Sequence, residues 1–131
     1  MRIEHVAIWA EDIEKLKSFY TTYFNMESGE KYINTVKQFH SYFLNFQDQC
    51  ATRIEIMHKP GILGNENIRG EHFGFAHIAI NVGDRKKVND LTEQLRNDGY
   101  TIIGAPRTTG DGYYESIIED PEGNWIEIIG F

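Results

Sequence analysis

The chain has 131 residues, a formal net charge of -7 at pH 7 and 40% hydrophobic residues. This length suits one domain, or two small modules that share a core, and the composition excludes global disorder. The acidic balance opposes a phosphate backbone, and no dense Lys/Arg cluster overturns it locally, so nucleic acid is excluded as an expected partner.

The start of the chain and its cysteine content predict a cytoplasmic protein. Charged residues in Met1-Arg2-Ile3-Glu4-His5 interrupt any apolar signal-peptide core, and no later apolar run approaches a membrane span. Cys50 is the single cysteine, so an intrachain disulfide is impossible and a reducing compartment is compatible. We therefore expect no membrane partner, and we expect Cys50 to act as a small hydrophobic residue.

The first half of the chain predicts the order β-α-β-β-β. Residues 2–10 alternate in polarity, which predicts a strand with His5 and Trp9 on one face. Apolar residues then recur at helical spacing from Asp12, the predicted N-cap, to about Asn25. Further strands are predicted around residues 30–35, 38–46 and 52–58.

The second half repeats this order after a turn-rich segment at 59–72, which predicts a connection or a loop over a site. A helix is predicted from about Asp84 to Asp98, with Gly99 as its stop signal. A tight turn at 120–123 precedes the last strand. The predicted strands are 73–82, 100–103, 113–119 and 124–129.

Four potential metal ligands are related by one spacing. His5 and His77 lie 72 residues apart, as do Glu55 and Glu127 (77 − 5 and 127 − 55), and each lies within a predicted strand. A fixed internal period indicates a duplicated chain. Two imidazoles and two carboxylates without a thiolate suit a divalent Zn, Ni, Co, Mn or Fe ion.

A structural or solvated role for each of these residues remains the alternative. It is strongest for Glu55, which shares its strand face with Arg53. Glu127 lies between apolar neighbours, where an unpaired carboxylate would be costly. The other histidines have no partner at the common offset, so surface or structural roles are favoured for them; they are His40, His58 and His72.

At these residues the chain resembles the glyoxalase/bleomycin-resistance/dioxygenase superfamily, also called the vicinal oxygen chelate family. The resemblance covers nearly all the chain. Its most specific part is the tail, Asp120-Pro121-Glu122-Gly123-Asn124-Trp125-Ile126-Glu127. Its other carriers are the two strand openings Ile3-Glu4-His5-Val6-Ala7-Ile8 and Phe75-Ala76-His77-Ile78-Ala79, and Phe19-Tyr20 with Phe24 and Met26.

The resemblance implies an α+β fold, with two tandem βαβββ modules forming a curved mixed sheet around a cleft and helices on the outer face. Residues 1–131 would be one such domain, with modules at about 1–58 and 73–131 joined by 59–72. One divalent metal ion per site is implied, with Zn or Ni preferred. In the glyoxalase I branch it also implies a homodimer whose interfacial sites draw one ligand pair from each subunit.

The ligand order His, Glu, His, Glu is that of glyoxalase I. The resemblance thus implies a lactoylglutathione lyase-like lyase or isomerase that transfers a proton next to a metal-bound oxygen of a small metabolite. Glu127 would be both ligand and base, with Glu55 as its counterpart. The alternative is a binding or antibiotic-resistance module without turnover. Extradiol dioxygenases and epimerases fit the ligand set less well.

Substrate contacts are predicted from four further residues. Glyoxalase I enzymes usually have an Arg that binds the glutathione carboxylate four residues after the first His, where this chain has Trp9. Trp9 favours a flatter or more apolar substrate, or is a core residue. The glycine-rich segment 104–112 is either a hairpin connection or a cover in which Arg107 meets an anionic group. One of Tyr113 and Tyr114 should face the cleft, and the other should pack under a helix.

Overall fold

A computed structural model describes residues 2–47, 52–64, 69–71 and 73–131. Contacts between Cα atoms divide the chain into two units, Met1–Gly64 (unit 1) and Asn65–Phe131 (unit 2). Cys50 and His72 lie outside the described residues, so the predictions made for them stay predictions.

Unit 1 contains one helix packed on one face of a mixed sheet. Strands β1 and β5 are parallel, and the strand order is β1-β5-β4-β2, with β3 also paired to β4. The elements are β1 (His5–Trp9), α1 (Ile13–Tyr23), β2 (Glu27–Ser28), β3 (Tyr32–Asn34), β4 (Phe39–Asn45) and β5 (Arg53–His58).

Unit 2 repeats this plan with the strand order β6-β9-β8-β7, in which β6 and β9 are parallel. A short 3₁₀ helix at Arg69–Glu71 precedes it. The elements are β6 (His77–Gly83), α2 (Arg85–Asn97), β7 (Ile102–Thr108), β8 (Tyr114–Glu119) and β9 (Trp125–Gly130). The predicted α+β class with two tandem βαβββ modules is confirmed, and each module has its own mixed sheet.

Local signals at the helix ends act as the sequence predicts. The carboxylate of Asp12 accepts hydrogen bonds from the backbone N–H groups of Glu14 and Lys15, each at 3.0 Å, and so caps α1. Asp84 caps α2 through the N–H of Lys87 at 2.9 Å. Gly99 ends α2 with a φ of +88°, which favours glycine.

The two cores are built from different side chains. In unit 1, Phe19 and Tyr20 of α1 are almost fully buried, with their ring centroids 5.2 Å apart. In unit 2, β-branched residues such as Ile126 and Ile128 fill the space under α2. There the hydroxyls of Thr92 and Ser116 are hydrogen-bonded at 2.7 Å. Alternate residues of each strand therefore face the helix, and the others form an opposite face.

The observed strands differ from the prediction in one additional strand and two shifted boundaries. The strand β2 was not expected, and β6 begins at His77 instead of residue 73. The strand β7 runs to Thr108, through the Gly104 and Pro106 that suggested a loop. Irregular register between β7 and β8 around Gly104, and the position of β7 at the sheet edge, accommodate both residues. Segment 104–112 is thus part of a hairpin.

Neither helix in the described ranges is long and apolar enough to cross a membrane.

Candidate metal-ligand pairs

Each unit brings one histidine and one glutamate together by the same strand register. In unit 1, Ala7 of β1 lies opposite Glu55 of β5, and in unit 2, Ala79 of β6 lies opposite Glu127 of β9. The histidine two residues before each alanine shares that face of the sheet, because strand side chains alternate. Both pairs lie on the face opposite the helix.

The two pairs differ in their spacing. Nε2 of His5 lies 3.8 Å from Oε2 of Glu55, whereas Nε2 of His77 lies 2.8 Å from Oε2 of Glu127. The glutamates are similarly sheltered, with 15% and 14% of their side-chain surface exposed, and the imidazoles are about 40% exposed, at 39% and 41%. Each pair is therefore a half-buried carboxylate beside an accessible imidazole nitrogen.

An ion-paired cluster holds the His5 ring from its other nitrogen. Nδ1 of His5 lies 2.5 Å from a carboxylate oxygen of Glu4, which also forms an ion pair with Arg53. The hydrogen bond with His5, together with Arg53, lowers the pKa of Glu4. The Arg53 guanidinium lies 4.1 Å from the centroid of the Phe43 ring. This arrangement fixes the ring so that Nε2 faces Glu55, as ligand histidines are commonly oriented.

A buried carboxyl group stands beside Glu127. Glu115 of β8 is only 7% exposed and accepts a hydrogen bond from Nη2 of Arg107 at 3.1 Å. Its pairing with Ile129 places it diagonally across from Glu127 on the same face. A hydrogen bond with Glu127 and then burial raise the pKa of Glu115 to about 7, with the Glu127 charge adding to the shift and Arg107 opposing it.

Trp9 lies at the end of β1, on the face that carries His5. Its ring meets Phe39 edge-on, with the centroids 6.1 Å apart, and Nζ of Lys59 lies 5.2 Å from the ring centroid. Trp9 is half-buried, so part of its ring remains accessible. The end of this strand therefore carries an aromatic surface next to a positive charge.

The two adjacent tyrosines point to opposite sides, as predicted. The hydroxyl of Tyr114 donates to Asn89 of α2 at 2.8 Å, which places this residue under the helix. The substrate role predicted for Tyr114 stays a prediction. Tyr113 is 41% exposed and packs against Phe131 at the chain end, with the centroids 5.4 Å apart. Its substrate role stays a prediction.

The donor chemistry of the pairs fits a divalent cation. Each pair offers an imidazole nitrogen and a carboxylate oxygen, which are ligands of Zn and similar ions. Within the parts of the chain that the structure describes, no group of three or more His, Cys, Asp or Glu side chains is placed to hold an ion.

Sequence reasoning missed Glu115. Its signal was an acidic residue inside a strand with several aromatic and aliphatic residues, Tyr114-Glu115-Ser116-Ile117-Ile118-Glu119. Burial of a carboxyl group among such neighbours is costly without partners. The partners come from β7 and β9, and the irregular register between β7 and β8 could not be read from the sequence.

His58 has a structural contact, since its Nδ1 lies 2.9 Å from the Ala10 carbonyl oxygen.

The fold and the repeated His and Glu pairs define a class of duplicated βαβββ proteins, and comparisons with known proteins agree. The profile of the Glyoxalase/Bleomycin resistance protein/Dioxygenase superfamily matches residues 2–128. The chain belongs to this superfamily.

Two named proteins are similar to this chain over nearly its whole length, at low sequence identity. A probable lactoylglutathione lyase of Vibrio cholerae is 28% identical over 130 residues, which cover 98% of this chain and 89% of the relative. A lactoylglutathione lyase of Arabidopsis thaliana is 26% identical over 98% of this chain, and the match spans 44% of that longer protein.

Solved structures show the same fold. Glyoxalase I of Leishmania major, described as trypanothione-dependent, aligns with a TM-score of 0.77 and 23% identity over 99% of this chain and 86% of its own. Glyoxalase I from Zea mays aligns with a TM-score of 0.78 and 24% identity over 98% of this chain and 44% of its own.

Proposed function

We propose that this protein is a divalent-metal-dependent lyase or isomerase of the glyoxalase I type, acting on a small oxygenated metabolite. The observation that carries the proposal is the recurrence of one His and Glu pair in the same register of both units, with Nε2 to Oε2 distances of 3.8 Å and 2.8 Å. The similarity to lactoylglutathione lyases at 26% and 28% identity supports this class of reaction.

The proposed ligands are His5, Glu55, His77 and Glu127. Zn or Ni is the expected ion, with Co, Mn and Fe as alternatives. When bound, such an ion polarises a substrate carbonyl and stabilises the negative charge that develops as a neighbouring C–H bond loses its proton.

Glu127 is the proposed base. Its carboxylate takes the proton from one carbon of the substrate and returns it to the adjacent carbon, so the reaction is an isomerisation without net proton loss. The His77 imidazole 2.8 Å away limits the orientations open to this carboxylate. Glu55 is its counterpart on the other pair, and its 3.8 Å separation from His5 leaves it less constrained.

Substrate selection is assigned to the residues around the pairs. The accessible ring of Trp9, beside Phe39 and Lys59, favours a planar or apolar group over the glutathione carboxylate that an Arg would bind there. Tyr113 is proposed as a further contact. Arg107 was expected to meet an anionic substrate group, but its hydrogen bond to Glu115 gives it a competing role.

The assembly belongs to the same proposal. Residues 1–131 form one domain of this family, and the resemblance to glyoxalase I favours a cytoplasmic homodimer in which each metal ion is held by a pair from each subunit. Refolding a mixture of His5→Ala and His77→Ala proteins tests this assembly. Recovered activity is expected, because half of the sites in a mixed dimer then regain all ligands. No recovery places both pairs of a site in one subunit.

Metal analysis on protein purified without chelators tests the function, followed by assays of methylglyoxal hemithioacetals made with several thiols. We expect about one divalent ion per proposed site, loss of turnover on chelation and recovery on adding Zn or Ni. Bound metal without turnover of any hemithioacetal would overturn a lactoylglutathione lyase-like activity and leave another substrate to be found, and absence of metal would favour the binding module.

A further inference from the structure

Beside Glu127 the structure holds a second carboxyl group that the proposed reaction does not use. We propose that Glu115, held in place by Arg107, is a positioning residue for Glu127 and makes the His77 and Glu127 pair the catalytic half of the site. This inference rests on the proposed function and concerns the different roles of the His77 and Glu127 pair and the His5 and Glu55 pair.

The first observation is the burial and partnering of Glu115. Its residue surface is 7% exposed, and Nη2 of Arg107 lies 3.1 Å from its Oε1. A buried carboxyl group is retained only when other groups compensate its lost hydration. Arg107 supplies one such group from β7, and Glu127 of β9 lies diagonally across from Glu115 on the same face.

The second observation is that the strand register places Arg107 beside Glu115. Glu115 and Arg107 are directly paired across β7 and β8. A Cβ atom on Gly104 would lie 2.6 Å from Nη1 of Arg107, so glycine leaves room for the guanidinium. The space for Arg107 and its orientation toward Glu115 are therefore features of the backbone as well as of the side chains.

The third observation is that unit 1 lacks this arrangement at the equivalent position. Glu115 pairs with Ile129, which lies 72 residues after Met57, and Met57 pairs with Ser41. The neighbour of Glu55 that matches Glu115 is therefore a buried serine. A buried carboxyl group at this position of the register is therefore present beside Glu127 and absent beside Glu55.

These contacts hold the Glu127 side chain from two directions. His77 approaches one carboxylate oxygen at 2.8 Å, and Glu115 lies diagonally across from Glu127 on the same face of the adjacent strand. Partners of metal ligands commonly change metal affinity or activity by about 10- to 100-fold when they are removed. Glu115 is not expected to touch the substrate, so its removal should change kcat and metal affinity and leave KM nearly unchanged.

The test compares Glu115→Ser, which copies unit 1, with Glu115→Gln, which keeps a hydrogen-bonding group of the same size. We expect Glu115→Ser to lower kcat and weaken Co²⁺ binding, followed by its absorption spectrum, by about 10-fold or more, and Glu115→Gln to stay within about threefold of wild type. Glu93→Ser on the exposed surface of α2 is the matched control and should leave both quantities unchanged.

Arg107→Met separates the two roles of this arginine. If Arg107 acts through Glu115, Arg107→Met lowers kcat, and the double variant with Glu115→Ser is no worse than the more impaired single variant. A raised KM with unchanged kcat and Co²⁺ affinity would assign Arg107 to the substrate instead, and so would overturn its part in the proposal.

The outcomes distinguish this inference from the function on which it rests. Wild-type turnover together with Glu115→Ser values equal to wild type, in a variant that remains folded by circular dichroism, overturns the positioning role alone. Equal losses in the Ser and Gln variants also overturn it, because a hydrogen-bonding group would then not suffice. A wild-type protein that neither binds Co²⁺ nor turns over any hemithioacetal overturns both.

Discussion

The two units have one plan but use different interactions beside their His and Glu pairs. In unit 1 the histidine is the constrained partner, because Glu4 and Arg53 hold the His5 ring from Nδ1. In unit 2 the glutamate is the constrained partner, because His77 lies 2.8 Å from the Glu127 carboxylate and the buried Glu115 lies diagonally across from it. At the common offset of 72, Ala76 and Trp125 replace Glu4 and Arg53. The His and Glu pairs therefore recur in both units, whereas the residues that contact them differ.

The largest expected effect is on kcat and comes from substituting the glutamate of each pair. Glu127→Gln should lower kcat by about 10²- to 10⁴-fold, because an amide cannot accept the transferred proton. Glu55→Gln should lower kcat by only about 10-fold, since its amide oxygen can still act as a ligand. Steady-state kinetics with metal in excess measures both values. A loss for Glu55→Gln as large as that for Glu127→Gln would contradict a division of roles.

A smaller effect concerns how each unit joins its last strand to its helix cap. A Cβ atom on Gly130 would lie 2.5 Å from the backbone oxygen of Asp84, whereas unit 1 has His58 at the equivalent position. Gly130→Ala should lower the free energy of unfolding by about 1–3 kcal/mol, because backbone must move.

Urea denaturation measures this change, with Gly110→Ala as the control because no neighbouring atom lies within 4 Å of its built Cβ. Equal unfolding midpoints for these two alanine variants would show that the contact between β9 and the α2 cap is not restrictive.

The different cores of the two units predict a loss of unfolding free energy similar to or smaller than that of Gly130→Ala. Thr92 of α2 is hydrogen-bonded to Ser116 at 2.7 Å, where unit 1 has Tyr20 at the position matching Thr92. Thr92→Val should cost about 1–2 kcal/mol, because the Ser116 hydroxyl loses its partner in a buried setting. The double variant with Ser116→Ala should recover part of that loss in thermal unfolding. A double variant less stable than Thr92→Val would argue against this explanation.

The smallest effect lies on the surface of unit 1 and depends on pH. Hydrogen bonds from Lys17, Lys31 and Tyr42 lower the pKa of Glu14 to about 2, whereas unit 2 has Lys86 at this position. A folded-state pKa below the unfolded value stabilises the protein above about pH 4.5, and this stabilisation is lost as the pH falls toward 2. Glu14 is half exposed, so solvent screening limits its contribution to below about 1 kcal/mol.

The melting temperature of Glu14→Gln, compared with wild type between pH 2 and 7, measures this contribution. The difference should be constant above pH 5 and shrink in acid. A melting-temperature difference that grows in acid would mean that ionised Glu14 destabilises the protein. It would exclude a stabilising role for Glu14 as a charged partner.

The parts of the fold that local chemistry determines could be predicted from the sequence. Alternation placed Glu127 opposite Ile126 and Ile128, and Asp12 and Gly99 marked helix ends because capping depends on nearby residues. The constant offset of the four proposed ligands required only the sequence itself.

The missed parts depend on pairing between strands. Gly104 and Pro106 look like loop residues, yet an irregular edge strand accommodates both, so β7 was predicted too short. The contact of Glu115 with Arg107 follows from the register of that strand. Neighbouring strand residues point to opposite faces, so the sequence predicts that Tyr113 and Tyr114 point apart. It does not predict which of the two faces the helix, and the structure shows that this is Tyr114.

The most direct test of the account is anomalous X-ray diffraction from crystals grown with Zn or Ni. We predict one strong peak within about 2.0–2.2 Å of both Nε2 of a His5 and Nε2 of a His77, with Oε atoms of Glu55 and Glu127 completing the ligand set. A peak bound by one His and Glu pair alone, or no peak at either pair, would contradict a shared metal ion.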